Sequence, residues 1–452
     1  MADSHVPQAG IIGAGIAGLA AAIALRRAGW QCEVFERSTF KNEIGAAISV
    51  TPNATRCLEH WGFDIAKARP VENQQLRIAM AEDLQVVFNE KYPDLEQQFG
   101  HKSWSFHRVD LHKGLLDLAV EQDECKGLPA IIRLGCQVQG VDFFEGNIVL
   151  ANGKSIKKDL IVVADGAHVS LNTEKPFALL KVHQSQIVGQ MASQSNLKST
   201  GRSIYRCLIP MHKIMSDPEI KALYEGQLPG FLGILDPIDD VLFANYSCRD
   251  DEVMNCAIVH NSRHQQTEDE ITSWNEPVPW TEILETAHNF HPSAKKILSM
   301  ASDAESDVKV HHLMKRAPMS SYVRDRAVVI GDAAHVMMPT HAAGGAVTIE
   351  SAACLGILFD KISMPTDTGL IESRLKLFDK LRLGRCNMTM ILSNAGFAGI
   401  GVPGVEEEVR RYYDGPLPPA GSIPFSAEYR EIFFNYNALE EARKVLHEEL
   451  LG

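Results

Sequence analysis

No basic tract offsets the formal net charge of −13 carried by this 452-residue chain. That balance excludes a nucleic-acid partner, because phosphate binding needs a local excess of lysine and arginine. It leaves an acidic small-molecule substrate open, since one arginine in a site outweighs the global charge. No run of about 18 consecutive apolar residues occurs, so no membrane-spanning helix is expected. Met388 to Val402 comes nearest, but Asn394 and several glycines interrupt it, and it reads as buried helix and loop. The start, Met1-Ala-Asp-Ser-His-Val-Pro-Gln8, lacks the basic region and apolar run of a signal peptide. Nine cysteines are scattered without a CxxC pair. A chain this long needs no disulfide staples, and reduced thiols in the cytoplasm are expected. The His311-His312-Leu313 stretch lacks supporting carboxylates, so no metal site is expected.

The length fits two domains, or one large domain with a substantial insertion. Ala9 to Ile12 reads as a strand, Ile16 to Arg27 as a helix and Gln31 to Phe35 as the next strand. Between the first two lies Gly13-Ala-Gly-Ile-Ala-Gly18. Gly13 permits the tight turn, Gly15 lets a pyrophosphate approach the backbone, and Gly18 lets the helix pack on the sheet. Amides at the helix start receive the phosphates. Glu36, closing the second strand, can accept both ribose hydroxyl hydrogens. A lone glycine triplet is weak evidence. The strand, helix, second strand and acid together specify a dinucleotide, without separating FAD from NAD. Arg37 either tolerates a 2′-phosphate or is an ordinary surface arginine.

Ile44 to Arg56 combines glycine, a short strand and a helix start at Pro52/Asn53. Arg108 stands just before a helical run expected from near Asp110, where it can hold a phosphate or ring oxygen, or join a surface ion pair. Ile131 to Val138, Asp142 to Leu150 and Lys157 to Val163 have the spacing of three strands and lead to a turn at Asp165-Gly166. From roughly 175 to 310 the pattern predicts strands at Gly201 to Pro210, Leu228 to Leu235, Val241 to Tyr246 and Cys256 to Val259, with helices at 266–274, 280–289 and 293–300. Arg206 lies inside an apolar strand, with Tyr205 on the opposite face. A buried arginine needs a partner, either a ligand anion or a structural aspartate. Tyr246 can bring a hydroxyl to the same pocket. Ala327 to His335 is a strand entering a Gly331-Asp332 turn, followed by Pro339 and a helix across Ala342 to Ala353. Asp332 can accept a ribityl-type hydroxyl hydrogen, and helix-start amides around Gly344 and Gly345 can stabilise negative charge on a flavin pyrimidine edge. Glu428 to Leu450 reads as one amphipathic helix or two abutting ones that pack back onto the protein.

Gly13 to Gly18, Glu36, Glu43 to Arg56, Arg108-Val-Asp-Leu111, Asp165-Gly166, and Gly331-Asp-Ala-Ala-His335 with Pro339 occur in one order. In this the sequence resembles the single-component FAD-dependent aromatic hydroxylases (group A flavoprotein monooxygenases), especially the fungal salicylate-hydroxylase-like branch. The resemblance implies an α/β fold: a Rossmann-like FAD-binding domain, an inserted mostly β-sheet substrate domain and C-terminal helices. It divides the chain into FAD-binding parts at 1–174 and 311–415, a substrate domain at 175–310 and a C-terminal loop and helical segment at 416–452. It implies FAD held by Gly13, Gly15, Gly18, Glu36, Arg108, Asp165, Gly166 and Asp332. Arg37, Ala47, Pro339, Gly344 and Gly345 stand beside the cofactor. NADPH or NADH visits transiently. Three departures stand out: His341-Ala-Ala-Gly-Gly-Ala346 where the family carries a G-x-G stretch, Glu350-Ser351 for its E-D pair, and Ala47 for a glycine.

The implied reaction reduces FAD with NAD(P)H and adds O2 at flavin C4a. A phenolic or aromatic-acid ring then attacks the distal oxygen of the hydroperoxide, with oxidative decarboxylation or dearomatisation as variants. Arg206 orients a phenolate or carboxylate, Tyr246 hydrogen-bonds to it, and His335 is a candidate for proton transfer. Alternatives are hydroxylation or epoxidation of an indole or other natural-product ring, and a flavin-binding reductase or nonoxidative enzyme. A monomer or homodimer is expected.

Overall fold

The computed structural model describes residues 6–40, 46–167, 186–191, 197–263, 276–301, 308–362 and 368–451. Glu43, Ile44 and Gly45 of the resemblance motif, the 174/175 boundary and the expected helix at 266–274 lie outside the described residues.

β1 (Gln8–Ile12), α1 (Ile16–Arg27) and β2 (Gln31–Phe35) form the expected strand–helix–strand unit. They belong to a six-stranded sheet in the order Val323–Arg324, Ala327–Val329, Leu160–Val163, β1, β2, Ile131–Arg133. All neighbours pair in parallel except Val323–Arg324. Its central strands are buried apolar runs, as a parallel sheet covered on both faces requires. α1 is buried from Gly18 through Arg26, because helix Gly344–Leu358 packs against it. A Cβ on Gly356 would meet Ala24 at 3.0 Å, so small residues set that close approach. Arg26, inside α1, donates to the carbonyls of Leu118, Ala119 and Glu121 and so caps helix Arg108–Val120.

The three strands expected between 131 and 163 are five, divided between two sheets. Ile131–Arg133 and Leu160–Val163 join the six-stranded sheet, while Val138–Asp142, Asn147–Leu150 and Ser155–Lys157 form an antiparallel meander. Gly146 and Gly153, both at positive φ, make the extra turns.

The second large sheet has eight strands, in the order Glu276–Pro277, Lys309–Arg316, Leu197–Pro210, Val253–Asn261, Val241–Cys248, Gly230–Asp236, Gln75–Met80, Val86–Lys91. It is therefore not confined to 175–310. Gln75–Met80 pairs in parallel with Gly230–Asp236 and Val86–Lys91 completes the edge. A side chain on Gly230 would collide with the Gln75 backbone, so that glycine admits the pairing. One face packs Tyr205, Phe243 and Ile258 against Ile283 and Ile297 of helices Trp280–Thr286 and Pro292–Ser299. The other carries Ile204, Leu242, Ala244, Ala257 and Val259.

Between the two large sheets lies a small one: β3 (Ala47–Val50), Trp104–His107 and Val71–Glu72. β3 leads into α2 (Pro52–His60). The C-terminal region is helical: Thr368–Asn394, then Ala427–Phe433 and Ala438–Leu451, two abutting helices. Among the described residues no helix is long and apolar enough to cross a membrane.

Candidate active site

The β1–α1 turn has the shape a pyrophosphate needs. Gly13 sits at φ +98°, and a Cβ there would fall 2.5 Å from the Ala164 carbonyl oxygen. A Cβ on Gly18 would collide with the Gly13 carbonyl. At Gly15 nothing lies within 4 Å, so the turn is open on the side where a phosphate approaches. α1 has neither a side-chain cap nor an acidic residue in its first turn, leaving its positive end to an anion. Glu36 accepts from the Ala14 amide on one oxygen (2.8 Å) and from the Ser38 amide on the other (2.7 Å). Each oxygen keeps a lone pair for a ribose hydroxyl. Arg37 is exposed beside it. His112, in helix Arg108–Val120, donates from Nε2 to the Ala14 carbonyl at 2.7 Å and meets Phe40 edge-on.

The returning motif abuts this cradle. Gly331 is at φ +68°, and a Cβ there would lie 2.7 Å from that of Ala17 in α1. This brings exposed Asp332 over the helix start. Asp165 follows the strand beside β1, and Gly166 turns the chain at φ +76°. Arg316, buried behind them, is pushed down to about 10 by burial, with Asp165 pulling the other way. Pro339 opens a short turn that ends at Ala342, a non-glycine residue at φ +47°. The helix that follows, Gly344–Leu358, also lacks a side-chain cap and an acidic first turn. A Cβ on Gly345 would press against Ile48 of β3 at 3.0 Å. These open turns and free helix starts fit a dinucleotide cofactor.

Arg108 begins its helix two residues earlier than expected and is exposed, its amide donating to the Ala46 carbonyl at 2.8 Å. Asp110 is not the helix start but a clamp, taking two hydrogen bonds at 2.6 and 2.9 Å from Arg249, in the turn after strand Val241–Cys248. Arg206 shares its sheet face with Ile204 and projects toward the cofactor domain, where Tyr246, Arg108 and Asp332 all act on its charge. Among the described residues it has no carboxylate at ion-pair distance, and burial pushes its guanidinium below the ordinary value. Arg206 and Tyr246 are both half-buried.

Two candidates stand differently from expectation. The Tyr246 hydroxyl donates to the Ala47 carbonyl at 3.1 Å, while Asn255 Oδ1 accepts from the Ala47 amide at 3.0 Å. Its donor is thus spent on β3 and not on a pocket ligand. Burial pushes it up to about 12, with Arg206 opposing, so it is a neutral phenol at pH 7. His335 is buried, edge-on to Tyr322 at 6.2 Å and next to Cys386. It faces the helical layer and not the Arg206 side, which removes the geometric basis for proton transfer.

His311 and Phe397 belong to the site although the sequence reading did not assign them there. His311 lies opposite Ile204 on the neighbouring strand, and burial together with Arg206 pushes it down to about 4, so its ring is neutral. Phe397 comes from the C-terminal region to pack on the apolar face with Phe231 and Leu313. Alternation along Lys309–Arg316 could have flagged His311; nothing local distinguishes Phe397.

A family model described as FAD binding domain matches residues 7–363. The FAD-dependent monooxygenase phomE' of Diaporthe leptostromiformis is 29% identical over 413 residues, 91% of this chain and 96% of that protein. Hispidin-3-hydroxylase of Neonothopanus nambi is 30% identical over 388 residues, covering 83% of this chain and 85% of that one. A salicylate hydroxylase substrate complex shares the fold with a TM-score of 0.70, at 21% identity over 98% of both chains. With the cradle, the returning motif and the sheet architecture, these matches show that the chain belongs to the FAD-dependent aromatic hydroxylases, the group A flavoprotein monooxygenases.

Proposed function

We propose that the protein hydroxylates an anionic aromatic molecule, a phenol or aromatic acid, at the expense of NADPH or NADH and O2. The net change is ring C–H plus O2, NAD(P)H and a proton to ring C–OH, NAD(P)+ and water. FAD, when bound, supplies the electron transfer from the nicotinamide and the activation of O2. Glu36 and the α1 amides would hold its ADP half, Asp332 its ribityl side, and the start of helix Gly344–Leu358 its pyrimidine edge.

Arg206 carries this reading. It stands on a largely apolar sheet face, with Lys309 opposite it on the neighbouring strand and no carboxylate at ion-pair distance among the described residues, beside the returning motif. An anionic ring satisfies both properties, the charge by Arg206 and the ring by Ile204, Ala244 and Ala257. The arginine favours the ionised phenol, which is more electron-rich, and the apolar walls exclude water. Neutral His311 and Tyr246 add no negative charge to compete with the ligand, and Lys309, opposite Arg206, has the same sign as the arginine. The names of hispidin-3-hydroxylase and salicylate hydroxylase describe those proteins, and ring hydroxylation is the reading they support here.

The test compares Arg206→Ala with the parent enzyme on matched carboxylate and neutral phenols. Loss of a charge-assisted hydrogen bond of ~1.5–3 kcal/mol raises KM for the carboxylate roughly ten- to hundredfold. Equal behaviour toward both ligands sinks the anion reading and favours a neutral indole-like ring.

A further inference from the structure

Phe397 stands between two glycines at positive φ, Gly396 (+78°) and Gly399 (+46°), in the turn Gly396–Gly401 that follows the long helix Thr368–Asn394. Its ring crosses to the apolar face of the eight-stranded sheet, formed by Ile204, Leu242, Ala244, Ala257 and Val259, and remains partly accessible there. Three hydrogen bonds tie the end of that helix and the start of the turn to residues 338–341, just ahead of helix Gly344–Leu358. The Met338 amide donates to Asn394 Oδ1 (3.0 Å), the Thr340 hydroxyl to the Ser393 carbonyl (2.5 Å), and His341 Nε2 to the Gly396 carbonyl (3.0 Å).

His341 is buried, and burial pushes it down to about 4. The neutral ring therefore has a fixed use, with Nε2–H donating to Gly396. Nδ1 has no hydrogen-bond partner among the described residues. A Cβ on Gly399 would lie 3.5 Å from this imidazole, so the turn is moulded around it.

We propose that Phe397 is the aromatic wall that sets which ring size the substrate site accepts, and that His341 is the positioning residue that holds this wall through Gly396. The inference rests on the anionic-aromatic reading above. The substrate ring then lies on the sheet face bearing Arg206 with its edge against Phe397, which packs on the same face, so removing the phenyl group enlarges the space beside it. Aromatic contact favours a planar occupant. The hydrogen bond from His341 to Gly396 fixes where the phenyl group stands on that face.

The experiment titrates FAD-loaded protein with a one-ring and a two-ring hydroxyaryl carboxylate, 2-hydroxybenzoate and 1-hydroxy-2-naphthoate, read by perturbation of the flavin absorption band. Phe397→Ala is expected to weaken the one-ring ligand about tenfold relative to the two-ring ligand. His341→Phe, which loses the donor, shifts the ratio the same way, and His341→Gln, which keeps an N–H donor, restores it. Phe397→Leu serves where the alanine variant does not retain FAD. An unchanged ratio in both Phe397 variants overturns the wall, and an unchanged ratio in His341→Phe overturns the latch. If the parent protein binds both ligands but hydroxylates neither, the proposed reaction fails while the ratio still decides about Phe397. Failure of the parent to bind either ring overturns both.

Discussion

Replacing Glu350 with glutamine removes the carboxylate that, among the described residues, pairs with buried Arg382 and Arg385, and the structure sets the size of the effect. Glu350 accepts from Arg382 Nη2 (2.7 Å), Arg385 Nη2 (2.9 Å) and Asn53 Nδ2 (2.6 Å), all within the helical layer behind the cofactor side. Arg385 also donates to the carbonyls of Ile432 and Phe433 and lies over the Tyr436 ring at 4.0 Å. One carboxylate therefore joins α2 to helices Gly344–Leu358, Thr368–Asn394 and Ala427–Phe433. Burial alone would push its pKa up, but Arg385 and Arg382 hold it down at about 2 against an ordinary 4.5. At ~1.4 kcal/mol for each tenfold change in proton affinity, that is worth about 3 kcal/mol. Breaking a buried pair by removing one partner costs ~3–5 kcal/mol, so the two routes agree. Urea unfolding of Glu350→Gln should show a loss of about 3 kcal/mol. Because the folded pKa is depressed, the parent keeps this stabilisation above about pH 4.5 and loses it as pH falls toward 2, whereas the variant lacks that component. A loss under ~1 kcal/mol, or an unchanged acid limb, would refute the reasoning.

Gly15→Ala should leave apoprotein melting nearly unchanged but weaken FAD in a fluorescence titration, because its methyl group enters only the open phosphate approach. Gly18→Ala should lower the apoprotein melting temperature outright, because its methyl group meets the Gly13 carbonyl. Ala342→Gly should raise stability by about 1 kcal/mol in chemical denaturation by relieving a left-handed non-glycine residue. Tyr246→Phe should cost about 1 kcal/mol of stability by freeing the Ala47 carbonyl, with little change in substrate KM. A large KM change with unaltered stability would return that hydroxyl to the pocket.

The cradle was legible because its parts are local. Gly13, Gly15, Gly18 and Glu36 lie on one strand–helix–strand unit, and α1 occupies the residues its pattern indicated. Arg206 was legible as an anomaly, a cation in an apolar strand. What the sequence hid depends on distant partners. Gln75–Met80 carries no mark of its pairing with Gly230–Asp236, and Tyr246 none of its bond to Ala47. Glu350-Ser351 stood out against the family pattern, yet only packing explains the serine. Its hydroxyl accepts from Arg382 Nε at 3.2 Å and donates to the Val347 carbonyl at 2.8 Å. His335 misled because its motif position is close to the cofactor side in sequence while its ring turns toward Tyr322.

The most direct test of the central claim is product mass after incubating FAD-loaded protein with NADPH, 18O2 and a panel of phenolic acids. The expected result is one labelled oxygen in the ring of at least one acid, with NADPH consumed in step with product. NADPH oxidised across the whole panel with all label in peroxide and none in product would contradict it.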